Sequence, residues 1–393
     1  MPTPRDIQPL FERLAAQLPV VTLTGPRQSG KTTLARTVFP RKPYVTLEDP
    51  DRRRFALEDP RAFLAQHADG AILDEIQRAP ELPSYLQGLV DADPRPGRFI
   101  LTGSRQFELM QGVTQSLAGR TALLRLLPFT LGEAVRLRPE RAAQTAAQWV
   151  VQGFYPRIHD LRLDPSQALA DYFATYIERD LRALTAVQDL RRFERFVRLC
   201  AGRVGQLVNL TSLANDAGIA QSTAQAWLDL LQTSYICHLL PPWFVNTGKR
   251  LIKSPKLYFY DAGLAAWLLG IKSAEQAERD PLWGALFENM IVMEALKHQY
   301  NRGDHRPAHF YRDSTGHEID LLLPTDGARW RAIEVKAGAT VHGDMFRGLA
   351  QFAKAHGAHL EQGAVVYGGD EAQHRSDWSV WPWRTLLAPP PAL

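Results

Sequence analysis

No apolar run in this 393-residue chain approaches the roughly 20 consecutive residues that a membrane-spanning helix needs, so no membrane partner is expected. Cysteine is nearly absent. Cys200 and Cys237 are the only two, each inside an apolar segment, which argues against a disulfide framework and against a cysteine-pair metal motif. Charge of one sign is lacking too: 46 Lys and Arg face 42 Asp and Glu, a formal balance of +4 with a pI near 9.0. So mild an excess identifies no partner, and only local clustering is informative. The opening MPTPRDIQPLFERL has no basic start, apolar core and small-residue cleavage site in sequence, and a cytoplasmic protein is the expectation. Flavin and nicotinamide fingerprints and internal repeats are missing as well.

What is present is an ordinary globular composition, 45% hydrophobic and 22% charged. The length exceeds one hydrophobic core and suits about two to four domains. Residues 18–23, LPVVTL, read as a short buried strand that runs into the loop TGPRQSGKTT and then an amphipathic helix toward Val38. Alternation continues through a strand at 44–47, a helix at 60–66, the strand AILDE at 71–75, a helix at 82–90 and the strand RFILTGS at 98–104. Such alternation predicts a parallel sheet covered by helices. After Pro128 the texture turns helical, with an Ala- and Arg-rich stretch at 131–148 and a longer helix from Ser166 to about Leu184, read as a helical lid. From Phe193 to about Gly270 the pattern is helix-turn-helix followed by a wing. The remainder alternates helix and strand as a separate α/β unit, and the tail APPPAL is expected to fray.

Gly25-Pro26-Arg27-Gln28-Ser29-Gly30-Lys31-Thr32, continued by Thr33, has the Walker A spacing. There backbone N–H groups at a helix N-terminus surround phosphate oxygens, Lys31 reaches the β and γ phosphates, and the Thr32 hydroxyl ligates Mg²⁺. Asp74 and Glu75 end the apolar run AIL, at the end of a strand that faces ligand in doubly wound sheets. Asp74 is the expected magnesium-site carboxylate and Glu75 the base that orients or deprotonates the attacking water. Ser104 follows FILTG and is placed to sense the γ-phosphate from a neighbouring strand. A transferring phosphoryl group needs a cation, for which Arg105 and Arg120 are candidates; Arg120, in SLAGR, is read as a finger acting on a neighbouring subunit.

These segments resemble, nearly end to end, the AAA-type ATPases that carry a C-terminal DUF4143 region. The resemblance rests on GPRQSGKTTLAR, LDEIQRAPEL, LTGSRQFELM, SLAGRTALLRLLPFTLGE, YIERDL, SPKLYFYDAGLAAWLLG, FENMIV, EIDLLL and IEVKAG. The family's glycine pair before an aromatic and proline stands here as Gly153-Phe154-Tyr155-Pro156, with Arg157 in place of the typical acidic residue. The resemblance implies an ATPase core, a winged-helix region and a nuclease-like C-terminal fold.

Leu213, Ala217, Ile219, Trp227, Leu230 and Leu231 recur at spacings that suit two helices packed through a turn at Gly218. Gln221, Ser222, Thr223 and Gln225 would then line the exposed start of the second helix, able to meet DNA phosphates or base edges. Lys249, Arg250, Lys253 and Lys256 crowd into eight residues as a basic wing in contact with phosphate would. Further on, Asp320 in EIDLLL, Glu334-Val335-Lys336 on the next strand and Glu288 on the preceding helix make the PD-(D/E)xK pattern. In that pattern carboxylates converge on Mg²⁺ at a sheet edge while Lys336 assists a water, and Gln351 on the following helix is a supporting polar group.

The fold expected is therefore α/β: a P-loop, AAA+-like parallel sheet at 1–130, a helical lid at 131–190, a winged helix at 191–275 and a restriction-endonuclease-like domain at 276–393. The function expected is an ATPase that uses ATP and Mg²⁺ and binds or remodels DNA, as a homo-oligomeric ring of which a hexamer is one form. An ATP-regulated nuclease and a nucleotide-dependent switch acting on a protein partner are the alternatives.

Overall fold

The structure is a computed structural model that describes residues 3–104, 116–176, 189–244 and 254–387. Its backbone groups into two compact units. One comprises residues 1–129, 233–235 and 297–304; the other comprises 130–232, 236–296 and 305–393. All nine tryptophans fall in the second. Lys249, Arg250, Lys253 and the tail APPPAL, together with Arg105 and the rest of RQFELM and most of YIERDL, lie outside the described residues.

In the first unit, α1 (Gln8–Ala15), β1 (Val20–Thr24), α2 (Lys31–Val38), β2 (Tyr44–Thr46), α3 (Pro50–Glu58), α4 (Pro60–Ala65), β3 (Ala71–Asp74), α5 (Leu82–Ala92), β4 (Phe99–Gly103) and β5 (Thr121–Arg125) follow one another. The five strands form a parallel sheet in the order β2-β3-β4-β1-β5. A parallel sheet needs cover on both faces, and the strand sequences VVTLT, AILD and FILTG are apolar on both. Because successive side chains point to opposite faces, Val20, Leu73, Phe99 and Leu101 bury against Phe63, Leu86 and Val90, whereas Val21, Leu23, Ile72 and Ile100 bury against Leu10, Phe11 and Leu34. Strand β5, TALLR, was not foreseen from the sequence. It pairs in register with β1, Val20 opposite Thr121, and its half-buried pattern marks it as the sheet's edge.

In the second unit the expected helical stretch at 131–148 is interrupted. α6 (Leu131–Leu137) ends before Pro139, a 3₁₀ turn spans Pro139–Ala143, and α7 (Ala146–Gln152) starts from a Thr145 capping box. α8 (Pro156–Asp160), α9 (Pro165–Tyr176), α10 (Leu190–Ala201), α11 (Leu210–Ala217) and α12 (Gln221–Thr233) follow, then a hairpin of β6 (Cys237–Leu240) with β7 (Lys256–Phe259). α13 (Ala262–Leu268) packs on α7, α9 and α10. The helices read as a lid are thus bound to the segment that follows the wing. Phe193 and Phe196 of α10 meet Trp227 of α12 edge to face at 5.2 and 5.6 Å, which builds the core of the helix-turn-helix.

After α14 (Ala274–Arg279) and α15 (Trp283–Asn301) come β8 (His309–Arg312), β9 (Glu318–Pro324), β10 (Trp330–Lys336), α16 (Arg347–His356), β11 (Leu360–Tyr367), β12 (Gln373–His374) and β13 (Ser379–Pro382). They form a mixed six-stranded sheet ordered β12-β13-β11-β10-β9-β8, with α16 packed on β9, β10 and β11. Trp243 sits among Tyr311, Trp330 and Phe352 in its core.

The turn at Gly153 is explained by Asp261. Its buried carboxylate accepts the Phe154 N–H at 2.7 Å and caps α13 through the Leu264 N–H at 2.9 Å, while Arg157 points to solvent. Asp261→Ala would strand two buried donors at about 1–3 kcal/mol each. A clear fall in the thermal midpoint followed by tryptophan emission is expected, and an unshifted midpoint would show that these bonds carry no net stability.

Candidate functional site

The phosphate loop joins β1 to α2 along a path that demands glycine first. Gly25 has φ of 145°, and a Cβ there would stand 2.0 Å from the Leu126 carbonyl oxygen as the chain leaves β5. Gln28 also takes a left-handed conformation (φ 60°), and Gly30 (φ 92°) precedes α2 with no side-chain cap on its first N–H groups. Lys31 is buried, its ammonium donating to the carbonyls of Gly25 at 2.9 Å and Pro26 at 2.7 Å. Pro26 and Ser29 are buried, Arg27 and Thr32 half-buried, Gln28 and Thr33 exposed. Arg5 braces the loop, donating to the Ser29 carbonyl at 2.7 Å and the Leu127 carbonyl at 2.8 Å. The loop fits a phosphate chain on two counts: the uncapped start of α2, and the buried Ser29 hydroxyl, which has no hydrogen-bond partner.

Asp74, buried at the end of β3, lies against this loop. Thr32 donates to its two oxygens at 3.1 and 3.2 Å, Tyr44 donates at 2.7 Å, and the Thr102 hydroxyl donates as well. Burial and the neighbouring Asp74 push the Tyr44 phenol up to about 12, so it stays a donor across the physiological range. Glu75 follows in a left-handed conformation (φ 58°), unusual for a non-glycine residue, and its carboxylate accepts from Ser104 at 3.2 Å and from the Gln77 amide. Oxygen donors of this kind suit a small hard cation, and Thr32 with Asp74 are the residues that would hold magnesium beside a bound nucleotide. Lys31, Thr32, Asp74, Glu75 and Ser104 therefore meet at one end of the parallel sheet. Arg120 does not join them. It precedes β5, at the opposite end of the strands, and its guanidinium pairs with Asp91, Nη2 to Oδ2 at 2.9 Å.

In the second unit, Gln221, Ser222 and Gln225 are exposed on α12, Thr223 is half-buried, and Gln225 donates to Asp229 at 2.8 Å. Lys256 corrects the sequence reading. Instead of a surface phosphate contact it is buried at the start of β7, where its ammonium meets Glu288 at 2.9 Å, Asp320 at 3.2 Å and Glu318. Glu288, Asp320, Glu334 and Lys336 do converge. Lys336 pairs with Glu334 at 2.6 Å and lies 3.7 Å from Asp320, whose second oxygen accepts the Val335 N–H at 2.9 Å. Burial, then the charge of Asp320, raises Glu288 to about 7 and Glu334 well above the usual carboxylate range. Burial works against ionised Asp320 too, but Lys256 and Lys336 outweigh it and hold this carboxyl low. Gln351 is exposed; the residue of α16 that meets the cluster is Gly348, where a Cβ would stand 2.0 Å from a Glu334 oxygen.

The phosphate loop, its carboxylate pair and the β2-β3-β4-β1-β5 sheet define the class: an AAA-type P-loop ATPase domain. Residues 17–135 match the family described as AAA domain, 143–275 a domain of unknown function (DUF8612), and 283–386 another (DUF4143). The chain belongs to the family that includes the uncharacterized protein Rv2008c of Mycobacterium tuberculosis and the uncharacterized protein Mb2031c of Mycobacterium bovis. Each is 34% identical over 382 residues, 96% of this chain and 82% of the relative. An uncharacterized protein of Haemophilus influenzae is 23% identical over 218 residues, 51% of this chain and 52% of that one. Among solved structures, the Walker-type ATPase PABY2304 of Pyrococcus abyssi is similar at TM-score 0.44 and 15% identity, covering 67% of this chain and 94% of that one.

Sequence reasoning missed Tyr44, Thr102, Gln77, Arg5, Glu318 and the true setting of Lys256. Thr102 had a signal, a lone polar residue in the apolar run FILTG, and Glu318 shares a strand face with Asp320. Lys31→Ala is expected to abolish nucleotide binding in fluorescent-nucleotide titrations, whereas Glu75→Gln retains it. Equal binding by wild type and Lys31→Ala would displace the site from this loop.

Proposed function

We propose that the protein hydrolyses ATP with Mg²⁺ in its first unit and couples turnover to binding or remodelling of DNA, translocation on branched or single-stranded DNA being the form that uses every part. The observation that carries this reading is the meeting of Thr32, Asp74, Glu75 and Ser104 beside the uncapped start of α2. Lys31 and the α2 N–H groups bind and orient phosphate, Thr32 and Asp74 would hold the metal, and bound Mg²⁺ would neutralise developing phosphate charge. Glu75 takes a proton from, or orients, the attacking water; Ser104 fixes the rotamer of Glu75 through its hydrogen bond. A homo-oligomeric ring, a hexamer among its forms, would supply from a neighbour the cation that Arg120 does not offer in its own chain. For DNA the support is the helix-turn-helix of α11 and α12 with Gln221, Ser222 and Gln225 exposed at the start of its second helix.

The test is ATP hydrolysis by wild type and Glu75→Gln with single-stranded, duplex and four-way-junction DNA. Wild type is expected to respond to one DNA form, less as salt rises, and Glu75→Gln to lose roughly 10²–10⁴-fold in turnover. Gln221→Ala combined with Gln225→Ala is expected to raise the DNA concentration for half-maximal stimulation roughly tenfold. Turnover indifferent to every DNA would remove the DNA reading and leave a switch acting on a protein partner; undiminished turnover in Glu75→Gln would remove the catalytic assignment.

A further inference from the structure

The PD-(D/E)xK pattern calls for carboxylates with free oxygens turned toward a divalent cation, and a lysine beside them. The second unit has those carboxylates, but it has one lysine too many. Lys336 alone occupies the position that the E-x-K spacing assigns, 2.6 Å from Glu334. Lys256 is extra. It comes from the hairpin strand β7, outside the six-stranded sheet, and only 3% of its side chain is exposed.

Its ammonium bridges Glu288 on α15, at 2.9 Å, to Asp320 on β9, at 3.2 Å, and also pairs with Glu318. Joining a helix carboxylate to a strand carboxylate is what a metal ion does in such a site. Each carboxylate also meets a group other than Lys256. Tyr258 donates to the same Glu288 oxygen at 2.5 Å, Asp320 accepts the Val335 N–H, Arg312 lies 3.2 Å from Glu318, and Glu334 is paired with Lys336. Among the described residues no three Asp, Glu, His or Cys side chains are arranged to hold a metal ion. The residues present do not fit a divalent cation.

We propose that Lys256 is the resident cation of this cluster: its ammonium fills the seat among Glu288, Glu318 and Asp320, and the C-terminal domain takes up no divalent metal. A lysine is rarely buried this deeply unless matched, and several carboxylates around one ammonium supply the match. Because a metal cannot take this seat without displacing the Lys256 ammonium, the domain does not cut phosphodiesters by metal-assisted hydrolysis. The inference is independent of ATP turnover in the first unit, and its test needs no nucleotide.

The experiment is Mn²⁺ binding to the nucleotide-free full chain, followed by electron paramagnetic resonance and by thermal midpoint. Wild type is expected to show no bound Mn²⁺ that depends on Asp320. A bound signal that survives Asp74→Asn and vanishes in Asp320→Asn overturns the proposal, and this measurement decides the matter even if substitutions at Lys256 fail to fold. Lys256→Met is expected to lower the midpoint by roughly 5–15 °C. The same variant is expected to gain an Mn²⁺ site that restores part of that loss and disappears when Asp320→Asn is added. A folded Lys256→Met protein with an unshifted midpoint, or one that is destabilised yet gains no metal, also overturns it.

Discussion

One carboxylate organises the first unit. Asp74 receives hydroxyl groups from α2, β2 and β4, namely Thr32, Tyr44 and Thr102, and so ties the helix that follows the phosphate loop to three strands at their ligand-facing ends. Its position follows from the sheet: β3 is paired on both sides, and its apolar run stops where the chain leaves the core. A buried charge at that point is tolerable only because three donors converge on it. The loop's left-handed residues and the lysine folded back on loop carbonyls are then local solutions around a fixed anchor.

The second unit depends on a different economy of charge. Within six residues of chain, Lys256 neutralises the carboxylates of α15 and β9, Tyr258 donates to one of them, and Asp261 caps α13 and receives the turn after α7. The segment SPKLYFYDAGL thus connects the hairpin, the mixed sheet and the helices before them. Fixing so many polar contacts on one short segment makes that segment the point at which disturbance in any of these elements would be felt by the others.

Much of the nucleotide site was legible because its chemistry is local. Glycines, lysine and threonine lie within eight consecutive residues, and the carboxylates stand at the end of an apolar run, so spacing alone brings Gly25 through Thr32 and Asp74 to one place. Three features were not legible, each for a physical reason. The edge strand TALLR is half exposed, which blurs its alternation. The helical stretch at 131–148 has good helix formers throughout, yet Pro139 removes the hydrogen bond that continuity would need. The mildly basic segment around Lys256 reads as a solvated wing, and what reverses that reading is three acidic residues that lie 32 to 64 positions further along the chain. Long-range ion pairing of this sort leaves no periodicity behind.

The tryptophans lie in one unit only, several of them buried at its cores, while the nucleotide loop and its sheet contain none. Intrinsic indole emission is therefore blind to events confined to the phosphate loop. A spectral change on adding nucleotide would be a message received by the other unit, which makes the unmodified chain its own reporter of communication between the two.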